Sequence, residues 1–178
     1  MGDDQNQSGD CPFVGHAVIA GYGVPGRAVA ELLVKRGLAY CVIELNPRTV
    51  DRCTGLGVHI LAGDIREEQT LRRAGVDRAV LFVVAVPNDA AVIEAVRLAR
   101  ALNPTVNIMA RCHYISAGIE AHRRGANEVV IEEQVVGEEF VRMLRQGAVP
   151  LPEPAAGDEE EDSDDGSAGR SQVNANAQ

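Results

Sequence analysis

Three glycines at the spacing GxGxxG, Gly21, Gly23 and Gly26, are the strongest chemical signal in this sequence. In this motif the first glycine permits a tight turn, the second lets a phosphate approach the backbone, and the third lets a helix pack closely on a strand. The free amides and the positive dipole end of the following helix favour an anion. Pro25, near the first turn, either removes an amide that has no partner inside the helix or withdraws a donor from the phosphate.

Glu44 ends the next apolar run, 18 residues after Gly26. A carboxylate at this point accepts both hydroxyls of a ribose and repels a 2′-phosphate. The pair of signals therefore predicts binding of NAD(H), or alternatively of AMP, ADP or ATP, in preference to NADP(H). Arg48 or Arg52 on the next helix would weaken this preference by reaching the ribose. The alternative interpretation is an ordinary glycine turn followed by a surface glutamate.

Further polar residues follow the later apolar runs. Gly63 and Asp64 either border an adenine pocket or form a turn with a helix cap. The pair at positions 88 and 89, Asn88 and Asp89, is explained by a cap for the long helix that follows. Arg111 ends the fifth run, where phosphate binding and a structural ion pair are equally good interpretations.

The cysteines and histidines predict no metal site. Four cysteines occur without any CxxC spacing: Cys11, Cys41, Cys53 and Cys112. Without a signal peptide, reduced cytoplasmic thiols are expected. The adjacent residues Cys112 and His113 would point to opposite faces of a strand. The remaining histidines are interpreted as ordinary core or surface residues: His16, His59 and His122.

Six short apolar runs alternate with six stretches of helical periodicity. The predicted strands are His16–Ala20, Tyr40–Leu45, Val58–Leu61, Ala79–Val86, Val106–Ala110 and Glu128–Ile131. The predicted helices are Arg27–Arg36, Pro47–Leu56, Glu67–Ala74, Asp89–Leu102, Ile115–Arg124 and Glu133–Gln146. Several runs are apolar on both faces, as in a parallel sheet covered by helices. With right-handed crossovers this pattern predicts an α/β fold, a Rossmann-like, doubly wound, six-stranded parallel sheet.

The chain of 178 residues has a net charge of −9, and the excess of acid lies at its ends. Residues 1–15 are expected to be a disordered lead-in, 16–146 a single domain, and 147–178 a disordered, proline-containing tail in which seven of the eight residues 158–165 are acidic. Residues 11–150 carry 15 acidic residues and 16 Lys or Arg, so no nucleic-acid-binding surface is predicted. The apolar runs are too short to insert into a membrane.

These motifs together resemble the RCK or KTN domain, also known as the TrkA N-terminal domain, from His16 to about Gln146. The matching segments are HAVIAGYGVPGRAVAELL, VIELNP, GD at positions 63–64, VPND, IMARC and GANEVVIEE. Two positions depart from the family pattern: Asn46 replaces a frequent second acid, and Glu132 replaces a frequent proline.

The resemblance implies a cytoplasmic regulatory module, not an enzyme, that senses a nucleotide and controls a potassium channel, uptake system or potassium/proton antiporter. It implies association with that membrane protein at the inner face of the plasma membrane. The predicted nucleotide-contacting residues are Gly21, Tyr22, Gly23, Val24, Pro25, Gly26, Glu44, Leu45, Asn46, Gly63, Asp64, Ile65, Ala85, Val86 and Arg111. The second ligand-binding subdomain that family members often carry is not expected here, so the chain is either an autonomous subunit or a piece of a larger transporter.

The alternative function is a small NAD(P)-dependent oxidoreductase, since the same fingerprint serves both classes. Against it, Tyr114 lacks the lysine of a Tyr-x-x-x-Lys pair, because position 118 is Gly118. The last predicted helix, from Glu133 to Gln146, carries apolar residues on a wide face. We expect part of this face to lie on the sheet and part to mediate self-association as a homodimer or higher oligomer.

Overall fold

Six apolar segments form the strands of one parallel sheet in the computed structural model, which describes residues 9–150. The strands are β1 (Ala17–Ala20), β2 (Tyr40–Glu44), β3 (Ile60–Ala62), β4 (Leu81–Val84), β5 (Asn107–Cys112) and β6 (Glu128–Ile131). Their order in the sheet is β3-β2-β1-β4-β5-β6, so the chain reverses its direction of travel between β1 and β4. This is the doubly wound Rossmann-like topology, and the predicted fold is confirmed.

A helix follows every strand, as the sequence predicts. The helices are α1 (Val24–Lys35), α2 (Pro47–Thr54), α3 (Glu68–Arg73), α4 (Asp89–Leu102), α5 (Ile115–Arg123) and α6 (Glu132–Arg145). A short 3₁₀ turn, Val76–Arg78, was not predicted. Several predicted boundaries were wrong by two or three residues, among them both ends of β4, predicted as Ala79–Val86, and two others at functionally relevant points. Helix α1 begins three residues early, because Gly23 is extended and Pro25 fits the first turn; β5 continues to Cys112.

The helices divide between the two faces of the sheet. On one face Ala30 and Leu33 of α1 and Cys53 of α2 pack on β1, β2 and β3. On the other face α3, α4 and α5 cover the sheet from β3 to β6, and Leu71 and Val92 lie in this larger core. The central strands are buried on both sides, which explains their nearly continuous apolar sequences.

Helix α6 leaves part of the first face uncovered. None of the residues of α6 is buried within the described part of the chain. Met109 on β5 and Val130 on β6 are consequently 38% and 45% exposed, although they point toward the side where α6 would pack. The expectation that part of α6 lies on the sheet was wrong. Among residues 9–150, no helix combines the length and the apolar character that crossing a membrane requires.

The segment before β1 is ordered from Cys11 onward, contrary to the predicted disordered lead-in of residues 1–15. Cys11 is 2% exposed, and its amide donates to the Arg73 carbonyl at 2.7 Å. The Arg78 guanidinium donates to the carbonyl of Cys11 at 2.5 Å and to that of Phe13 at 3.0 Å. The apolar side chains and these backbone partners offset the entropy of ordering. Residues 1–8 and the acidic run lie outside the described residues.

Candidate functional site

The glycine loop between β1 and α1 has two structural glycines and one that faces open space. A Cβ on Gly26 would lie 2.0 Å from the Gly21 carbonyl oxygen, so α1 packs against the end of β1 only if this residue is glycine. Gly21 has φ +91°, and a Cβ there would lie 2.9 Å from Val86 Cγ1. At Gly23 the nearest atom to an added Cβ is Pro25 Cδ at 3.9 Å. The backbone is therefore accessible to a ligand at Gly23.

The first turn of α1 points two amides without intrahelical partners toward this opening. Gly23 is the N-cap, with no side-chain cap, and Pro25 is the second residue of the helix. Pro25 therefore removes one of the first-turn donors and leaves the amides of Val24 and Gly26. No acidic residue occupies the first turn, so nothing there opposes an anion at the helix terminus.

Glu44 joins the ends of β1 and β2. Its Oε2 accepts a hydrogen bond from the Tyr22 amide at 2.9 Å, and its Oε1 accepts one from the Asn46 amide at 2.9 Å. Both carboxylate oxygens are thereby fixed in direction, and each keeps a further lone pair for another donor. A pair of vicinal hydroxyls is a suitable donor group for the remaining lone pairs.

A cleft of about 440 Å³ opens beside Glu44 at the carboxyl ends of the strands. We refer to it as the glycine-loop cleft, and it is lined by Gly21, Ile43, Glu44, Leu45, Asn46, Gly63, Asp64, Ile65, Arg66, Val86, Pro87, Asn88 and Ala91. Its volume lies in the range of small-molecule sites. Eight of the predicted contact residues line it: Gly21, Glu44, Leu45, Asn46, Gly63, Asp64, Ile65 and Val86.

The other predicted residues have different positions. Tyr22, Gly23, Val24 and Gly26 belong to the loop and first turn beside the cleft rather than to its lining. Pro25, Ala85 and Arg111 line a second cleft, described below.

Arg66 is a lining residue that the sequence analysis missed. Its guanidinium donates to both oxygens of Asp64, at 2.6 to 3.1 Å, and its amide donates to Asp64 Oδ1 at 2.9 Å. The Arg66 side chain is 59% exposed at the mouth of the cleft. These hydrogen bonds lower the pKa of the Asp64 carboxyl below its ordinary value. Asp64 is thus an ionised residue of a turn, and it does not cap α3, whose N-cap is Glu67.

Two asparagines in the lining are helix caps. Asn46 Oδ1 accepts from the Arg48 amide at 3.1 Å and begins α2. Asn88 Oδ1 accepts from the Ala91 amide at 2.9 Å and begins α4, as predicted. Asn46, which departs from the family pattern, therefore has a defined structural role as the cap of α2. Its backbone amide is also one of the two amides that hold the Glu44 carboxylate.

A second cleft, of about 370 Å³, lies on the open face of the sheet between α1 and α6. We call it the apolar cleft; its lining is Pro25, Val29, Val83, Val84, Ala85, Met109, Ala110, Arg111, Val130, Glu132, Val135 and Val136. At its edge Arg111 pairs with Glu132 and donates to the Ala85 carbonyl at 3.3 Å. Glu132 also contacts His113 Nδ1 at 3.2 Å, and the Arg111 hydrogen bond lowers the pKa of the Glu132 carboxyl. The sequence left phosphate binding and a structural ion pair open for Arg111, and the structure contains the ion pair.

The fold and the glycine-loop cleft together define a class of protein. A doubly wound parallel sheet whose first turn carries GxGxxG, with a fixed carboxylate at the end of β2, is a nucleotide-binding type of Rossmann domain. Residues 17–132 match the model of the TrkA-N domain, and the chain belongs to this family. The resemblance stated from the sequence is confirmed.

Two relatives of this chain are a cation/proton antiporter and a potassium uptake protein. The putative cation/proton antiporter YbaL of Escherichia coli is 32% identical over 129 residues, which cover 72% of this chain and 23% of YbaL. The Trk system potassium uptake protein TrkA of Streptomyces coelicolor is 30% identical over 137 residues, 76% of this chain and 61% of TrkA. The chain therefore spans about a quarter of the length of YbaL and less than two thirds of TrkA.

Solved structures agree with the fold. The TrkA-N domain of YbaL from Escherichia coli superimposes with a TM-score of 0.71 at 31% identity, covering 75% of this chain and 98% of that domain. The Kef C-terminal domain of Shewanella denitrificans, in an AMP-bound form, has a TM-score of 0.62 at 25% identity and covers 74% and 81% of the two chains. GsuK bound to ADP has a TM-score of 0.64 at 25% identity, over 77% and 36%.

Proposed function

We propose that this chain is a nucleotide-sensing regulatory domain of a potassium transport protein, and that the glycine-loop cleft binds a nucleotide with free ribose hydroxyls. NAD(H) is the first candidate, and AMP, ADP and ATP are the alternatives. The observation that carries the proposal is the Glu44 carboxylate, held by the amides of Tyr22 and Asn46 at the entrance to the cleft. It is an acceptor fixed in place before any ligand arrives.

Each part of a nucleotide has a complementary group at this end of the sheet. The phosphates lie over Gly23, where the backbone is open, and receive hydrogen bonds from the amides of Val24 and Gly26. The ribose hydroxyls donate to the free lone pairs of Glu44. The base enters the cleft between β2 and β3, beside Ile65. A 2′-phosphate would stand against the Glu44 carboxylate, which disfavours NADP(H).

The solved relatives support an adenine nucleotide. The Kef C-terminal domain binds AMP and GsuK binds ADP, each at 25% identity to this chain. The named relatives are a cation/proton antiporter, a potassium channel and a potassium uptake protein. These relatives favour regulation of potassium transport over the oxidoreductase alternative. We place the domain at the inner face of the membrane that holds the transporter.

We further propose that the signal leaves the domain through self-association on the open face of the sheet. Val136, which lines the apolar cleft, is 50% exposed, and Phe140, one turn further along α6, is 63% exposed. A second copy of α6 would bury these side chains and those of Met109 and Val130, about 1.5–3 kcal/mol for each fully buried side chain. A nucleotide then regulates only if its affinity differs between two packing arrangements.

A nucleotide titration tests the binding proposal. Calorimetric titration of the chain with NADH, NAD, NADPH, AMP, ADP and ATP should give saturable binding of NADH or of at least one adenosine phosphate, and NADPH should bind at least about tenfold more weakly than NADH. A preference for NADPH would overturn the assigned role of Glu44. The lack of binding by all six would overturn the proposed function.

Sedimentation equilibrium at micromolar concentration tests self-association, with and without the tightest nucleotide from that titration. A dimer or larger species is expected, with a dissociation constant that the nucleotide shifts. A monomer under both conditions would leave contact with another protein as the only route for the signal and would refute this part of the proposal.

A further inference from the structure

Four cysteine and histidine residues meet at the amino edge of the sheet, opposite the glycine-loop cleft. Cys41 is the second residue of β2, His16 directly precedes β1, and His59 directly precedes β3. Because parallel strands begin at the same edge of a sheet, these three positions are brought together although 43 residues separate the first from the last. Cys11 reaches the same place from the segment before β1.

The side-chain atoms of this group are close enough to share one ion. The sulfurs of Cys11 and Cys41 and one ring nitrogen of His59 all lie within 4.8 Å of one another. In a tetrahedral zinc site, with Zn–S of about 2.3 Å and Zn–N of about 2.0 Å, the ligand atoms are about 3.3–3.8 Å apart. Movements of about 1 Å or less bring the three atoms to those separations.

Three residues of the group are buried and His59 is partly buried, and two of the polar atoms lack a hydrogen-bond partner in the described part of the chain. Cys11 and Cys41 are 2% and 0% exposed, and His16 is 0% exposed. His59 Nε2 and His16 Nδ1 are buried without a hydrogen-bond partner among residues 9–150. A buried, unpaired nitrogen costs free energy, and coordination of a metal through Nε2 would remove that cost for His59. The Phe13 ring lies edge-on to His59, with centroids 5.5 Å apart, and closes the outer side.

We propose that Cys11, Cys41 and His59 form a site for a thiophilic divalent metal ion, with Zn²⁺ as the natural occupant. Two thiolates and an imidazole are a ligand set that zinc prefers over hard cations, and two thiolates balance its charge. His16 Nε2 contacts the Cys11 sulfur at 3.2 Å and the Ala74 carbonyl at 3.0 Å. His16 is therefore a positioning residue that orients a ligand, as outer partners of metal sites do.

The metal would have a defined mechanical effect. Through Cys11 it would connect the segment before β1 to the starts of β2 and β3. Arg78 already holds this segment by donating to the carbonyls of Cys11 and Phe13. Metal binding should therefore stabilise the fold while leaving the glycine-loop cleft, at the opposite edge of the sheet, unchanged.

The site is tested by adding cobalt and zinc to the full chain, purified with reductant and treated with a chelator. One equivalent of Co²⁺ should give thiolate-to-cobalt charge-transfer absorption and the d–d bands of four-coordinate cobalt, with a water molecule as the fourth ligand, and Zn²⁺ should displace it. Cys41→Ser and His59→Gln should each weaken Zn²⁺ binding at least about tenfold. His16→Ala should lower affinity but keep the thiolate charge-transfer bands.

Cys53→Ser and Cys112→Ser are the matched controls, because both cysteines are also buried and free yet lie outside the group. Both variants should bind Co²⁺ as the wild type does. His59→Gln changes a partly exposed residue, so it provides a test even if Cys41→Ser does not fold. Reduced wild-type protein that binds no Co²⁺, or binding that is unchanged in His59→Gln, would overturn the proposal.

Discussion

The two clefts of this domain differ in what their linings offer to a ligand. The glycine-loop cleft contains a carboxylate fixed by two amides, the Arg66–Asp64 ion pair at its mouth and, beside it, the amides of a helix N-terminus. The apolar cleft contains aliphatic side chains from α1, the sheet and α6, and its charges, Arg111 and Glu132, already neutralise each other. A polar anion suits the first cleft, and a protein surface suits the second.

The cause of this difference is the position of the helices that follow each strand. The loops after β1, β2 and β3 meet at the carboxyl edge, where the Glu44 carboxylate accepts from Tyr22 and Asn46 and the Glu44 carbonyl accepts from the Gly63 amide. Helix α6 contacts β6 and, through the Arg111–Glu132 pair, the end of β5, but none of its residues is buried within residues 9–150, and Met109 on β5 and Val130 on β6 stay partly exposed. The glycine-loop cleft is therefore formed by the strand ends and their loops, whereas the apolar cleft is present because α6 does not bury this part of the sheet. Variants in one cleft should leave the function of the other unchanged.

The largest effect is expected for Gly23→Asp. A Cβ at this position meets nothing closer than 3.9 Å, so the fold should tolerate the change. The new carboxylate would occupy the phosphate position at the start of α1 and repel the ligand. Nucleotide affinity should fall by at least about 100-fold, equivalent to about 2.7 kcal/mol, in a calorimetric titration. Self-association of the ligand-free protein should not change.

Gly55→Asp is the control for this variant. Gly55 also has a negative φ, −62°, and an added Cβ would make ordinary contacts at 3.6 Å with the Arg52 carbonyl. The residue lies at the end of α2, outside the lining of both clefts. Nucleotide affinity should stay at the wild-type value. Full binding by Gly23→Asp would instead show that the phosphate does not lie on this loop.

A smaller effect is expected for Glu44→Ala. The change removes the acceptor for the ribose hydroxyls and releases the amides of Tyr22 and Asn46. Hydrogen bonds to charged groups contribute about 1.5–3 kcal/mol, so affinity for NADH or AMP should fall by about tenfold or more. The difference between NADH and NADPH should narrow, because the repulsion of the 2′-phosphate disappears. Glu31→Ala, an exposed glutamate on α1, should alter neither quantity.

The apolar cleft is tested by Val136→Asp on α6, since Val136 lines this cleft. Val136 is 50% exposed, so the change should not unfold the monomer. If the open face is covered by a second copy, a charge there should weaken dimerisation by about tenfold or more in sedimentation equilibrium. Val34→Asp on α1 is the control, since Val34 is 64% exposed and lies outside the cleft. Equal association of both variants would place the interface elsewhere.

The smallest effect is expected for Arg111→Ala. The Arg111–Glu132 pair is partly exposed, so its loss should lower the free energy of unfolding by less than about 1 kcal/mol. The folded-state pKa of Glu132 is below its ordinary value. The contribution of the ion pair to the free energy of unfolding is therefore present at pH values above the ordinary carboxyl pKa. It is lost as the pH falls through the lowered folded-state pKa of Glu132. The free energies of unfolding of wild type and variant, measured by urea denaturation, should become equal in acid. Nucleotide affinity should be the same for both proteins.

The sequence predicted the parts of the molecule that depend on local pattern. Apolar runs on both faces of the sheet identified six parallel strands, and the glycine spacing located the turn after β1. Asn88 was recognised as a helix cap because the capping residue lies next to its helix. Eight predicted contact residues line one cleft because strands of a parallel sheet end at a common edge.

Features that depend on distant residues were not predictable in the same way. The wide apolar face of α6 indicates burial, but its spacing does not say whether the sheet or another chain provides the cover. Cys11 becomes ordered through Arg73 and Arg78, more than 60 residues away. The group of Cys11, Cys41 and His59 has no characteristic spacing because three separate chain segments assemble it.

A matched pair of ligands tests the central claim most directly. Adenosine 5′-monophosphate and adenosine 2′,5′-bisphosphate differ only at the 2′-position, where Glu44 is proposed to accept the ribose hydroxyl. Calorimetric titration of the wild-type chain should show the 5′-monophosphate binding at least about tenfold more tightly, and Glu44→Ala should remove most of that difference. Equal or tighter binding of the bisphosphate by the wild type would contradict the account.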